Sequence, residues 1–205
     1  VANGIWTPGG MHFASGGGVN CGDIDLTWPI TITVRFLYPQ GTSSVDRVLV
    51  SKCNDFLNGS DSSSEFLIYL PRWYDHVRCT FWISNSDYFP LSDFVLPSSE
   101  GLVIGQEYVI SGMYTASEMI GYCNGKLIGR SAIEFYQARP INTTVPFVIG
   151  NSGNLSASNN TDTPIYHVYI HNRALSENEI AYLHANPYAM FEPPSPAGRF
   201  FVDAS

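Results

Sequence analysis

Apolar and polar residues alternate along most of this chain. In PITITVRFLYP, Ile30, Ile32, Val34, Phe36 and Tyr38 share one face, and Thr31, Thr33 and Arg35 share the other, because successive strand residues point to opposite sides. That pattern predicts a half-buried strand closed by Pro39. DRVLVSK (46–52), EFLIYL (65–70), VRCTFWIS (77–84) and EYVISGMYT (107–115) predict further strands. MIGYCNGKLIGRS (119–131) predicts a hairpin with Asn124-Gly125 at its tip, a pair that accepts the positive φ angles of a tight turn. VPFVIG (145–150) and PIYHVYIHN (164–172) complete the set. Strands at short intervals, with no helical pattern between them, predict an all-β antiparallel two-sheet sandwich. No internal period points to a propeller or a solenoid. The Gly/Ser/Asn-rich stretches 54–64 and 151–163 read as polar loops.

One segment breaks the strand rhythm. In HNRALSENEIAYLHANP (171–187) Ser176 is a good N-cap, and Glu179 stands three residues later, so each satisfies the other's orphan backbone donor. Leu175 and Ile180 are spaced to close as a hydrophobic staple, Ile180 and Leu183 form a short apolar stripe, and Asn186-Pro187 stops the run. Two or three turns cannot stand alone in water, so the helix is expected to lie on the sandwich.

Composition narrows the function. The chain has 205 residues, of which 44% are hydrophobic and 14% charged, enough for one sizeable core in a single domain. With 18 acidic and 10 basic residues the net charge is −8, and no Lys/Arg cluster occurs. A grip on nucleic acid or on an anionic membrane needs such cations, so neither partner is expected. No transmembrane run is present, and the chain begins at Val1 rather than Met, as if an upstream piece had been removed. Cys21, Cys53, Cys79 and Cys123 form no CxxC pair; the favoured reading is four buried free thiols, with one disulfide left open. Asn58, Asn142, Asn154 and Asn159 head sequons of the kind that Asn-rich loops produce by chance.

The order of these pieces resembles a known family. The opening PITITVRFLYP…RVLVSK, then LVIGQEYVISGMYT, GYCNGKLIG, FVIGNSG and TPIYHVYIHNRALSENEIAYLHANP, are similar to the laminin-G-like domains of the concanavalin A-like lectin/glucanase superfamily. The most specific part is YIHNRALSENEI. The resemblance implies a jelly-roll sandwich with one short C-terminal helix, spanning 1–190, with a Pro/aromatic arm over 191–205. The ending NPYAMFEPPSPAGRFF also resembles those of bacteriophage head and tail proteins. It implies a virion-surface module meeting other virion proteins or its own copies, with Arg199, Phe200 and Phe201 docking on a neighbour.

The superfamily includes glucanases, whose laminarinase-type branch carries its acids on one strand face as E-x-D-x-(x)-E. Here GDIDLTW offers Asp23 and Asp25 but continues with Thr27 and Trp28, so the third acid is missing. His12, His76, His167, His171 and His184 are the available imidazoles. His167 and His171 share a strand face with Tyr169 between them, opposite Tyr166, Val168 and Ile170; on a strand that spacing is about 13 Å, too long for one metal ion. No GxSxG, P-loop or HExxH motif occurs, and the expected class is non-catalytic. Sugar sites combine aromatic platforms with polar rims. Trp73, Tyr74 and Asp75 in PRWYDH, and Asp87 and Tyr88 with Phe89 in NSDYFPLSDF, are the glycan-binding candidates. The resemblance also implies a Ca2+ ion held by loop oxygens, with Asp46, Asp55, Asp61 and Asp162 as weak candidates. Two functions follow: a virion structural or adhesion module contacting cell-surface glycans, or a carbohydrate-binding domain of a secreted or cell-surface protein.

Overall fold

The computed structural model describes residues 2–7, 10–26, 29–38, 46–53, 65–71, 78–82, 90–95, 102–115, 117–132, 144–152 and 163–188. Their strands are β1 (Ala2–Thr7), β2 (Gly10–Asn20), β3 (Ile30–Leu37), β4 (Arg47–Lys52), β5 (Phe66–Leu70), β6 (Arg78–Trp82), β7 (Pro90–Val95), β8 (Glu107–Tyr114), β9 (Glu118–Cys123), β10 (Lys126–Ala132), β11 (Val148–Ile149) and β12 (Ile165–His171). A single helix, α1 (Glu177–Ala185), follows them. No helix among these residues is long and apolar enough to cross a membrane.

All strand pairs are antiparallel, in the order β10-β9-β8-β3-β12-β2-β11-β4-β5-β6-β7, with β1 added beside β2. β2 carries the chain from one sheet to the other. Its start pairs with β12 through Met11 and Ile165, whereas Val19 and Asn20 pair with β11. Gly16, Gly17 and Gly18 lie between those ends, where a strand that switches sheets must bend. The result is two sheets face to face, a sandwich with one short helix, as the alternation predicts.

The core lies between the sheets. Ile30, Ile32, Val34 and Phe36 of β3 point inward with Tyr108, Ile110 and Tyr114 of β8, and meet Leu49, Val50, Phe66, Ile68 and Phe147 of the second sheet. Close approach at one corner requires glycine: Gly150 has φ +84, and a Cβ there would fall 2.4 Å from the Phe13 ring. Polar groups buried nearby are satisfied in a chain. Ser51 Oγ donates to the Asn151 carbonyl (2.8 Å), Asn151 Nδ2 donates to the Gly17 carbonyl (3.0 Å), and the Ser152 amide donates to Asn151 Oδ1 (2.7 Å). Asn151 and Ser152, expected in a polar loop, are therefore interior residues. A buried amide left without partners would cost roughly 1–3 kcal/mol, and this network removes that cost.

A second, smaller core forms on the outer face of the first sheet. Met113 of β8 and Ile120 and Tyr122 of β9 point away from the main core and are covered by Leu175, Ile180, Ala174 and Leu183. The capping box is present: the Glu179 amide donates to Ser176 Oγ, and the Ser176 amide donates to Glu179 Oε2 at 2.8 Å. Thr31 bolts the approach to the helix onto β3, because its hydroxyl donates to the Arg173 carbonyl (2.8 Å) and accepts from the Leu175 amide (3.2 Å).

Some expectations are corrected. β1, β2 and β7 were not foreseen, and β11 is only two residues long rather than the six of VPFVIG. The glycan-candidate stretch 85–94 runs into β7, which begins at Pro90. The expectation of four buried cysteines does not hold among the described ones: Cys53 is buried, Cys21 is exposed and Cys123 is half-buried. The Asn124-Gly125 turn has φ +50 and +77, as a two-residue hairpin tip requires.

Candidate functional site

The outer face of the first sheet is apolar under α1 and polar beside it. β3, β8 and β12 build the polar half. Arg35 sits opposite His167 on β12 and Val109 on β8, and Thr33 sits opposite Tyr169 and Ser111. Thr33 and Ser111 share a buried hydroxyl–hydroxyl hydrogen bond of 2.8 Å, which lets two polar side chains sit under the layer above. Between Ile165 and His167 the register slips, the mark of a β-bulge, and bulges re-aim side chains. Tyr166 consequently stands beside Arg35, 5.4 Å from guanidinium carbon to ring centroid. Strict alternation had placed Tyr166 on the opposite face with Val168 and Ile170; the bulge is the reason that it is not there.

Arg35 is the centre of the group. Its Nε donates to Glu107 Oε2 at 3.0 Å, and its Nη2 donates to the same oxygen. Tyr188, in the turn after α1, lies 5.8 Å from the guanidinium carbon on ring-centroid distance. Arg35 is thus flanked by two tyrosine rings, a favourable place for a planar cation. The Tyr166 phenol also hydrogen-bonds Glu107, and burial followed by that carboxylate raises its pKa. Tyr188 is 53% exposed and the Glu107 side chain 41%, so one ring face and one carboxylate meet solvent side by side.

Behind this surface lies His167. Its ring stacks on Tyr169 (centroids 4.6 Å, planes 20° apart) and meets Tyr188 edge-on at 6.0 Å. Both ring nitrogens are buried without a hydrogen-bond partner among the described residues. Burial, then the Arg35 cation, pushes His167 down to about 4, with Glu107 opposing. The Tyr169 hydroxyl donates to the Pro187 carbonyl and ties the chain after α1 to the sheet. As the sequence indicates, His167, Tyr169 and His171 share one face.

A second polar group lies at the end of β4. Lys52 is fully buried, yet its Nζ meets Glu65 Oε1 at 2.8 Å and Asp23 Oδ1 at 3.0 Å. Burial alone would lower its pKa, but the hydrogen bonds to Glu65 and Asp23 outweigh that and raise it. Asp23, considered above as half of an incomplete acid motif, is therefore an ion-pair partner of a lysine. Its companion Asp25 is exposed.

The glycan candidates Trp73, Tyr74, Asp75, Asp87 and Tyr88 lie outside the described residues, as do Asp55, Asp61, Asp162 and the arm residues Arg199, Phe200 and Phe201. Asp46 is described and is buried just before β4, not a solvated loop acid. Among the described residues no group of three His, Cys, Asp or Glu side chains is placed to hold a metal ion. The Arg35, Glu107, Tyr166 and Tyr188 group was missed by sequence reasoning. Arg35 and Glu107 are 72 residues apart, and the only local signal was an arginine on the polar face of an amphipathic strand.

Residues 13–181 match a laminin G family model described as the concanavalin A-like lectin/glucanases superfamily. No curated protein matches the chain. Among solved structures, Trypanosoma rangeli sialidase aligns with 93% of this chain at TM-score 0.63 and 14% identity. The same sialidase in complex with sialic acid gives TM-score 0.65 at 14% identity, covering 93% of this chain and 30% of that one. The receptor binding domain of a botulinum neurotoxin C/D mosaic serotype aligns with 80% at TM-score 0.55 and 13% identity. The chain spans 29% of the length of the first sialidase structure and 37% of the toxin chain; at such identities the likeness is one of fold. These comparisons give the expected bacteriophage origin no support. With the family model covering most of its length, and a sandwich closed by a capped helix, the chain belongs to the concanavalin A-like lectin/glucanase superfamily.

Proposed function

We propose that this domain is a non-catalytic carbohydrate-binding module that works by adhesion. The observation that carries the reading is the half-exposed Tyr188 ring beside the Arg35–Glu107 pair and Tyr166. A pyranose has an apolar face and a polar rim. An aromatic ring takes the first, and charged hydrogen-bonding groups take the second. Membership of a lectin-type superfamily supports the reading, as does likeness in fold to the receptor binding domain of a toxin. Arg35 is already engaged by Glu107, so sugar hydroxyls bridging both groups suit the site better than an anion alone.

A glycan array tests this directly. Binding should be detectable for the parent and fall at least tenfold in Tyr188→Ala, with the far-ultraviolet spectrum unchanged. A blank array for the parent, or full binding by the variant, would remove the assignment of this site; in the second case Trp73 and Tyr74 become the positions to substitute. The finer reading places the module outside the cell, on a virion surface, with the 191–205 arm docked on another copy or on another virion protein. Its support is the Arg199-Phe200-Phe201 sequence. Deleting 192–205 should lower the solution mass measured by light scattering, and an unchanged monomer mass would sink it.

A further inference from the structure

The segment 172–188 is strapped across the outer face of the first sheet, and three imidazoles lie along that contact. His167 has both ring nitrogens buried and unpartnered among the described residues; His171 has Nε2 so placed, and His184 has Nδ1. An unpartnered buried nitrogen is tolerable on a neutral ring and costly on a charged one. We propose that this strap is an acid-released clasp, in which protonation of these imidazoles lifts 172–188 from the sheet and uncovers Met113, Ile120 and Tyr122.

The surroundings of each ring favour release. His167 is faced by Arg35 from β3, by Glu107 from β8, by Tyr169 on its own strand and by Tyr188 from the strap. Glu107 is the one acid near it among these groups, and it already accepts from Arg35 Nε and Nη2 and from the Tyr166 phenol. An imidazolium at His167 would therefore stand beside the Arg35 guanidinium, and the carboxylate nearest it is already shared with Arg35 and Tyr166. His171 is faced by Arg173 and Glu179 of the strap, but that carboxylate is committed to Arg173, at 2.6 Å, and to the Ser176 cap. His184 feels the Arg35 cation and packs over the hairpin turn, where a Cβ on Gly125 would lie 3.2 Å from its own Cβ. Burial is the largest cause depressing all three basicities, and an arginine adds to it in each case.

The relief is mechanical. Breaking the Tyr169 to Pro187 hydrogen bond and swinging Tyr188 outward gives water access to His167. Among the described residues, the covers over Met113, Ile120 and Tyr122 in their apolar cluster are Leu175, Ile180, Ala174 and Leu183, all on the strap. The main core shares none of these residues, so the strap can leave while the sandwich persists. Release would also carry Tyr188 away from Arg35 and so open the candidate glycan site, but it does not require that a glycan binds there.

Hydrogen exchange on the full chain, corrected for intrinsic rates, tests it at pH 7.5 and pH 4.5. Amides of 177–185 should exchange at least tenfold faster in acid, with those of β3 and β8 unchanged. The double variant His167→Gln/His184→Gln, with neutral side chains at both positions, should keep its exchange slow at pH 4.5. Equal protection of the strap at both pH values would overturn the proposal. So would a variant that loosens in acid as the parent does. Should the variant misfold at pH 7.5, imidazole titration by NMR and exchange in the parent decide together: His167 must stay neutral at pH 6 and take up its proton only as strap protection is lost, and protonation with the strap still protected overturns the proposal.

Discussion

Lys52 shows how one side chain can be held in a place where its type rarely goes. Its ammonium is removed from water, and that cost is offset by carboxylates that converge on it, among them Glu65 from within the protein and Asp23 from a more exposed position. The two partners are therefore unequal. Replacing Lys52 with Met leaves Glu65 buried with its cation gone, and should cost about 3 kcal/mol of unfolding free energy. Asp23→Asn removes a partly hydrated charge and should cost no more than about 1 kcal/mol. Urea unfolding of the two variants checks the ranking; equal midpoints would mean that Lys52 is held by other contacts. None of this was legible locally. At the end of DRVLVSK a lysine reads as the solvent end of a strand, and its partners stand 29 residues before it and 13 after it. The same holds for Arg35, whose neighbours Glu107, Tyr166 and Tyr188 come together only when β3, β8 and β12 are side by side. Sequence reasoning looks for chemistry in short spans, and both sites are assembled from distant ones.

At the scale of elements, legibility followed the clarity of the local pattern. β3, β8 and β12 alternate strongly, and each was found within a residue or two of its observed ends. The helix was found with its cap, because a capping box and a staple are local devices. β2 was missed because Gly16-Gly17-Gly18 erases alternation where the strand changes sheets, and β7 because Pro90 and Asp93 look like loop residues. β11 was overextended, since VPFVIG is apolar enough for a strand but pairs only at Val148 and Ile149. The hairpin tip joins two elements in one test. Gly125 has φ +77, and a methyl group there would meet Ala181 Cα and His184 Cβ at 3.2 Å. Gly125→Ala should therefore destabilise by about 1–2 kcal/mol from backbone strain alone, and it should also raise hydrogen exchange within α1. Strain confined to the hairpin would leave α1 exchange unchanged, which would show that the contact yields without loosening the helix. For comparison, Ser176→Ala should loosen the helix by about 1 kcal/mol through loss of its cap.

On the scale of the whole molecule, two cores of different size share one sheet, and acid should act on them unequally. The main core packs two sheets through apolar side chains. The smaller one is bordered by His171 and His184, with His167 beside the end of the strap. Each of the three titrates lower in the folded chain than its ordinary 6.5, and His167 falls to about 4. Between those values the unfolded chain binds protons that the folded chain refuses, so stability is fully present above pH 6.5 and falls as pH drops toward 4. Glu179 is held at about 2, first by Arg173 and then by the Ser176 backbone. Its contribution is present above its ordinary 4.5 and is lost only as pH falls through about 2; it plays no part between pH 6.5 and 5. Urea unfolding at pH 7.5 and 5 should therefore show a lower midpoint in acid. Its slope should also be smaller, because slope follows the surface exposed on unfolding, and the acid native state already exposes Met113, Ile120 and Tyr122. A lower midpoint with an unchanged slope would mean that strap and sandwich unfold as one unit. His167→Gln/His184→Gln should flatten the dependence of the midpoint on pH.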